Sequence, residues 1–156
     1  RRARGELGAG AQEGPRAVVE VAKVARVCGA AGGAVHGLCF EGADGARAGC
    51  FLENSLEPLD LSDDDGLARR GGRWERIAPS ERIVAIEGRA SKMGFLCARV
   101  ALRLSSGREI VFSGCVDDDQ PRFDARAPDG EAITGLEFDD GQLVGVCTAE
   151  WKEEAQ

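Results

Sequence analysis

Short apolar segments alternate with turns rich in glycine and aspartate along most of the chain. Val35–Phe40 and Ile133–Phe138 are similar to each other, and an Asp-Gly pair follows each of them. Glycine readily adopts the positive φ that a tight turn requires, so Asp-Gly between two apolar segments is a strong hairpin signal. We therefore predict one hairpin of Val35–Phe40 with Ala46–Leu52, and another of Ile133–Phe138 with Gln142–Thr148.

A third, looser copy of the same pattern lies between these two. Val100–Leu104 leads through Ser106-Gly107 into Arg108–Phe112. One further strand-like segment precedes each hairpin; these segments are Val21–Val27, Ile83–Gly88 and Phe123–Ala127. Three similar units of short strands and glycine turns predict an all-β fold with approximate threefold internal repetition, because no unit can bury its apolar face alone.

Two segments are open to more than one assignment. The valines of 18–28 have spacings that suit either a helix or a strand, and the β-branched residues and the breaker Gly29–Gly33 favour a strand. Residues 53–73 form a long polar connection, which in a compact domain is either functional or contains a short element. The alternation of Leu59 and Leu61 predicts a short strand there.

The connection 53–73 also carries clusters of charge, and we expect it to provide the protein-contact surface. Its charged residues are Asp63, Asp64, Asp65, Arg69, Arg70 and Arg73. Further aspartate clusters occur at 117–119 and 139–140, and carboxylates on loops suit Ca²⁺. The calcium-loop pattern is absent, however, and turn preference alone accounts for aspartate at these positions. We predict no metal site and no cofactor.

The overall composition indicates one globular domain with an acidic surface. The chain has 156 residues, of which 43% are hydrophobic, and this is enough for a sizeable core. The formal net charge of −7 disfavours binding to phosphate backbones and anionic lipids. Aromatic residues for base stacking are few, at 5%. No apolar run reaches the roughly 20 residues of a membrane helix. We predict neither nucleic-acid binding nor membrane insertion.

The residue types that dominate catalytic and metal sites are sparse or poorly arranged. His36 is the one histidine, and no recognisable serine- or cysteine-hydrolase signature is present. The cysteines are Cys28, Cys39, Cys50, Cys97, Cys115 and Cys147. None of them forms a C-x-x-C pair, which disfavours a zinc site. We predict a protein that is not an enzyme and has no catalytic residues, with cysteines that are mostly free and structural.

The two ends of the chain differ in composition from its centre. Residues 1–16 are rich in Gly, Ala and Arg and are predicted to form a flexible arm. Residues 17–151 form the predicted β domain, and residues 152–156 a charged tail. The chain starts at Arg1 without a methionine, so we interpret it as processed or cut from something longer. Import into an organelle is compatible with this, and the compartment stays open.

In its turns and repeats the sequence resembles the jacalin-like, β-prism lectin family. Pro79–Gly88 is similar to the family's mid-domain strand, in which a P-x-E-x-I run enters an I-x-G strand. Val35–Phe40 with its glycine-punctuated hairpin is similar to the first unit, and Ala132–Phe138 to the late I-x-G-F strand. The resemblance covers about residues 18–151. It implies a β-prism-like fold of three pseudo-repeated antiparallel units, with a β-trefoil-like closure as the structural alternative.

Many members of that family bind mannose- or galactose-type sugars through an N-terminal glycine-rich loop and a late loop of pattern G-x-x-x-D. The aspartate of such a loop accepts hydrogen bonds from sugar hydroxyls. Here Gly32-Gly33 is the glycine pair after the first strand, and Gly145 stands where the late pattern has aspartate. Aspartates precede the late glycine instead, so the resemblance implies Asp139, Asp140 and Gly141 as the candidate carbohydrate-binding residues.

The missing catalytic constellations and the altered sugar motif favour a binding or docking module. We interpret the protein as an accessory subunit that contacts protein partners in a larger assembly, with the arm 1–16 ordering on binding. The alternative is a carbohydrate-binding lectin of the jacalin type, for which a glycan would be the partner. A hydrolase whose site the sequence does not reveal is the third hypothesis.

Overall fold

The computed structural model describes residues 3–6, 16–51, 59–91, 96–139 and 142–151. These residues form twelve β-strands and one short helix. The strands are β1 (Ala3–Glu6), β2 (Arg16–Glu20), β3 (Val24–Ala31), β4 (Val35–Gly42), β5 (Arg47–Phe51), β6 (Arg73–Arg76), β7 (Ile83–Arg89), β8 (Arg99–Leu104), β9 (Glu109–Ser113), β10 (Arg122–Arg126), β11 (Glu131–Asp139) and β12 (Gln142–Glu150). The helix, α1, is Asp64–Arg69. The all-β class is confirmed, and α1 is an addition to it.

The strands form three antiparallel sheets of four strands each. Sheet I has the order β1-β12-β11-β2, sheet II β10-β7-β8-β9, and sheet III β5-β4-β3-β6. In sheets II and III three consecutive strands form a meander and a fourth returns beside the first, which is Greek-key order. In sheet I the strands β11, β12 and β1 lie side by side in that order, and β2 lies beside β11. The spatial pattern is therefore the same as in the other two sheets. This arrangement confirms a β-prism with three units and is incompatible with the trefoil alternative.

The three predicted hairpins are present as β4–β5, β8–β9 and β11–β12. The strand predicted at Phe123–Ala127 is present as β10, but its assignment to the third unit is wrong, because β10 pairs with β7 in sheet II. The neighbour of β11 is β2 instead. The N-terminal strands β1 and β2 complete the sheet of the C-terminal strands β11 and β12, so neighbours in this sheet are not all neighbours along the chain.

The valine-rich segment 18–28 is divided between two sheets. β2 ends at Glu20 in sheet I, and β3 begins at Val24 in sheet III. Val21 makes the last contact with sheet I, where its N–H donates to Thr134 O at 2.8 Å. The prediction of a single preceding strand at Val21–Val27 is therefore only partly correct.

The N-terminal arm is partly ordered into sheet I. Ala3–Glu6 pairs with β12 along its outer edge, in a register that runs from Thr148 to Gly145. These four residues and Arg16, the first residue of β2, therefore lie in strands within the segment that the sequence predicts as an arm. The other predicted arm residues, and the tail at 152–156, lie outside the described residues.

One large apolar cluster fills the space between the three sheets. In β8, Val100, Leu102 and Leu104 are buried in this cluster. Arg99 and Arg103 lie on the outer face of the same strand, because side chains alternate between the two faces of a sheet. All three sheets contribute large side chains to the cluster, so they share one core.

Sheet III carries a second apolar cluster on its outer face. Its buried members are Cys28, Ala30, Cys39, Phe51, Leu59 and Leu67. Residues 59–72, which we call the flap, cross this face and contain α1. The predicted strand at Leu59 and Leu61 is wrong, because these residues lead into the helix and pack against sheet III, where Leu59 N–H donates to Phe51 O at 2.8 Å but no strand ladder forms.

Candidate functional site

The acidic cluster of the flap starts α1. Asp63 is the N-cap residue, and its carboxylate accepts a hydrogen bond from Gly66 N–H at 2.9 Å. Asp64 and Asp65 lie in the first turn, where negative charge is favourable, and Arg69 lies in the last turn, where positive charge is favourable. The three aspartates therefore have a structural role, which is to begin a helix where the sequence predicted a turn.

Arg47 connects the N-terminal end of the flap to sheet III. Its Nη1 lies 2.6 Å from Asp64 Oδ1 and donates to Leu61 O at 2.9 Å. Its Nε donates to Glu41 Oε2 at 2.7 Å, and Arg26 donates to both oxygens of the same carboxylate, at 2.7 and 3.0 Å. The hydrogen bonds from Arg26, which have the larger effect, and from Arg47 lower the pKa of the Glu41 carboxyl to about 2.

Trp74 packs against the same arginines. The Arg26 Cζ atom lies 3.9 Å from the centroid of the Trp74 ring, and the Arg47 Cζ atom lies 5.1 Å from it, both within cation–π range. An open polar depression of about 480 Å³ adjoins this group. Its lining consists of Glu41, Gly45, Arg47, Asp60, Leu61, Ser62 and Asp64. The polar groups in it already bind one another, so the depression marks where the flap is attached.

His36 connects the C-terminal end of the flap to β4. Its Nε2 donates to Arg70 O at 3.0 Å, and its ring lies edge-on to Phe51 with the centroids 6.1 Å apart. A carbonyl oxygen can only accept, so Nε2 carries the proton. This geometry gives His36 a positioning role for the flap.

The predicted protein-contact residues are not all on one surface. Asp63, Asp64, Asp65, Arg69 and Arg70 belong to α1 or its caps. Arg73, by contrast, joins sheets III and II. Its Nη2 donates to Val111 O at 2.8 Å, its Cζ lies 4.9 Å from the centroid of the Phe112 ring, and it forms an ion pair with Glu75.

Connections from all three sheets meet at one end of the prism. Leu143 N–H, at the start of β12, donates to Leu96 O at 3.2 Å. Val35 N–H, at the start of β4, donates to Cys97 O at 2.8 Å. The glycine pair Gly32-Gly33 lies in the β3–β4 loop, with only Ala34 between it and Val35, so it is at the same end of the fold as the β11–β12 turn.

Asp139 is the last residue of β11 and pairs with Gln142, the first residue of β12. Asp140 and Gly141 separate them and lie outside the described residues. This two-residue connection is shorter than a five-residue G-x-x-x-D loop, and Gly145, at the motif's aspartate position, is buried within β12. Asp139 is only 3% exposed. The fold therefore brings Asp139 to the expected end of the prism but keeps its carboxylate inside the protein.

The acidic cluster at 117–119 forms part of a surface turn that Arg89 holds. Arg89 Nη1 donates to the carbonyl oxygens of Asp118 and Gln120, at 3.4 and 3.0 Å. Within the part of the chain that the structure describes, no group of three or more metal-ligating side chains occurs. The described residues also include no helix with the length and apolar character to cross a bilayer.

Solved structures with the same architecture cover nearly the whole chain. A Malaysian banana lectin aligns at 13% identity with a TM-score of 0.65, covering 96% of this chain and 100% of that one. The Calsepa lectin, solved with a biantennary N-glycan, aligns at 12% identity and 0.65, covering 97% and 98%. Artocarpin, described as a lectin with mannose specificity, aligns at 10% identity and 0.61, covering 95% and 96%. The fold is the β-prism of the jacalin-related lectins.

These similarities confirm the predicted resemblance at the level of fold. No protein-family model matches the sequence, and no curated protein does. The three structures are lectins, which agrees better with the lectin alternative than with the accessory-subunit interpretation that the sequence favoured. At these identities the comparison shows the fold alone, and a function drawn from it is a proposal.

Proposed function

We propose that the protein binds carbohydrate at the end of the prism that contains the β11–β12 turn. The observation that carries this proposal is the match to lectins over almost the full length of both chains. One of these lectins was solved with an N-glycan, and another is described as mannose-specific. A mannose-type glycan is therefore the first ligand to test.

Asp140 and Gly141 are the proposed contact residues, and the buried Asp139 is a proposed positioning residue behind the turn. A carboxylate and the backbone amides of a turn offer the acceptors and donors that sugar hydroxyls need. Because only two residues separate the strands, the contact surface is small. We expect weak binding of a monosaccharide, with a Kd on the order of 1 mM, and tighter binding of a branched oligosaccharide that touches the neighbouring loops.

A glycan array followed by titration calorimetry tests the proposal. Asp140→Ala should weaken binding of the best glycan by about tenfold or more, since it removes a charged acceptor. Asp129→Ala is the matched control. Asp129 precedes Gly130, whose φ is +81°, in the Asp-Gly turn at the opposite end of β11, and this variant should bind like the wild type.

Carbohydrate binding and the assignment of its site can be refuted separately. If no glycan on the array binds saturably, carbohydrate binding itself is refuted. If a glycan binds and neither Asp140→Ala nor Asp139→Asn weakens it, the function stands and the assignment of the site is wrong. Circular dichroism of each variant identifies a loss of binding that is due to unfolding.

The exposed face of α1 supports a second proposal, which is docking to a protein partner as an accessory subunit. The side chains of Asp64 and Arg69 are 72% and 71% exposed, and the flap is attached at both ends, so a partner would meet a pre-formed surface. Deleting residues 1–16 is not a clean test because it removes β1. Docking through α1 predicts a native mass above the 16.4 kDa of the single chain. The double variant Asp65→Ala, Arg69→Ala should lose the partner and reduce the native mass to that of the single chain. A larger mass that persists in the variant argues against the flap as the contact.

A further inference from the structure

Cys28 and Cys39 are direct neighbours across the β3–β4 strand pair. They are Cα partners in the antiparallel register, and both belong to the apolar cluster on the outer face of sheet III. Directly opposed residues of antiparallel strands have Cα atoms about 4.5–5.5 Å apart, which lies within the range of about 4.4–6.8 Å found in disulfides. The strand pairing therefore already holds the two Cα atoms at a separation that a disulfide can bridge.

The flap isolates these two thiols from solvent. Both residues are 0% exposed, and both are free thiols. A Cβ atom placed on Gly72, at the end of the flap, would lie 2.8 Å from Cys28 Sγ. Leu67 of α1 packs into the same cluster. A dissolved oxidant can reach the thiols only when the flap lifts from the sheet.

The charges around the pair act in both directions, since Arg26 and Arg47 favour the thiolates while Asp64 disfavours that of Cys28 and Glu41 that of Cys39. Burial raises the pKa of each thiol to about 11, while Arg26 and Arg47 act in the lowering direction. Opening the flap would remove much of the burial and move Asp64 away, while Arg26, Arg47 and Glu41 of sheet III would stay in place. Since the thiolate is the nucleophile in disulfide exchange, opening increases chemical reactivity as well as access.

We propose that Cys28 and Cys39 form an oxidation site that the flap controls and that closes to an intramolecular disulfide. The oxidant is a low-molecular-weight disulfide such as oxidised glutathione. One cysteine thiolate attacks the glutathione disulfide, forms a mixed disulfide and releases one glutathione thiolate. The second cysteine, as its thiolate, attacks the protein sulfur of that mixed disulfide and releases the second glutathione. The two protein thiols lose two protons and two electrons, and oxidised glutathione is reduced to two glutathione thiols.

The full chain contains its own controls for this reaction. Cys115 is exposed and should form a mixed disulfide promptly, while Cys97 is 1% exposed in the main core and reports global unfolding. After incubation with oxidised glutathione, alkylation and peptide mass spectrometry should find Cys28 and Cys39 joined, as a peptide pair that is lighter by two hydrogen atoms. In a Cys28→Ser variant the reaction should stop with glutathione on Cys39.

Flap variants test whether the flap controls the rate. Leu67→Ala should accelerate the Cys28–Cys39 disulfide by on the order of tenfold or more without accelerating reaction at Cys97, because it favours local opening. Asp64→Asn, which removes the ion pair to Arg47, should have a smaller effect in the same direction. Leu136→Ala in the main core is the matched truncation, and should raise the Cys28–Cys39 and Cys97 rates together.

Three results would overturn the proposal. One is the absence of the joined peptide in both the wild type and Leu67→Ala. Another is a Cys28–Cys39 rate that follows the Cys97 rate in every variant, because oxidation would then need global unfolding. The last is a joined peptide that forms at an equal rate in the wild type and both flap variants, because the flap would then not limit access.

Discussion

Replacing Glu41 with glutamine tests the charged network that attaches the flap to sheet III. Glu41→Gln keeps the shape of the side chain and removes the negative charge that Arg26 and Arg47 share. The Glu41 side chain is 16% exposed and that of Arg26 is 36% exposed, so solvent screens the network only in part. We expect the free energy of unfolding at neutral pH to fall by about 1–3 kcal/mol.

The pKa of Glu41 fixes the direction of the pH dependence. It is about 2 in the folded protein, below its ordinary value of 4.5. The carboxylate therefore contributes its full stabilisation above about pH 4.5, and this contribution is lost as the pH falls towards 2. Glutamine does not titrate, so the stability difference between the two proteins should shrink through that window.

Urea denaturation followed by tryptophan fluorescence measures the difference at neutral pH and at a series of acidic pH values. Glu109→Gln is the matched control, because Glu109 forms a more exposed cross-strand pair with Arg103 at 3.2 Å. This control should change the stability by less than about 0.5 kcal/mol. A Glu41→Gln effect as small as that of the control at neutral pH would refute the reasoning. So would an effect of constant size down to about pH 2.

Two further substitutions test the packing of the strands and the start of α1. Gly88→Ala should destabilise the protein by about 2 kcal/mol or more, because its Cβ would lie 1.9 Å from Arg99 O in the adjacent strand. Gly32→Ala is its control and should be nearly neutral in thermal unfolding, since nothing lies within 4 Å of the added atom; equal losses in the two variants would contradict the packing argument. Asp63→Ala should cost about 1 kcal/mol by removing the N-cap bond to Gly66, and should increase amide exchange in α1. Unchanged exchange there would show that the cap does not stabilise the helix.

The hairpins could be predicted because their signals are local. The Asp-Gly and Ser-Gly turns lie directly between the strands that they join, and Gly45 and Gly107 have φ values of +86° and +91°. The pairing of Ala3–Glu6 with β12 has no such signal, because it depends on residues about 140 positions away and on the closure of sheet I. Because β2 takes the place beside β11, β10 pairs with β7 in sheet II, although along the chain it stands next to the third hairpin.

The flap was not predictable from alternation alone, although Asp63 ahead of two acidic residues is a helix-start signal. Its attachment depends on Arg47 and Glu41, which are brought together with Arg26 only by the register of sheet III. The carbohydrate site was predicted from the resemblance. It stays a prediction, and the burial of Asp139 and the short turn are consequences of strand pairing that the motif did not reveal.

The measurement that most directly tests carbohydrate binding by this β-prism is an amide chemical-shift titration of the full chain with a mannose-type oligosaccharide. The account predicts saturable shifts at Leu96, Asp139, Gln142 and Leu143, which lie around the β11–β12 turn, and unchanged amides in α1 and around Gly130. Saturable shifts confined to α1 would contradict the proposed site. No saturable shift with this or any array-selected glycan would contradict the proposed function.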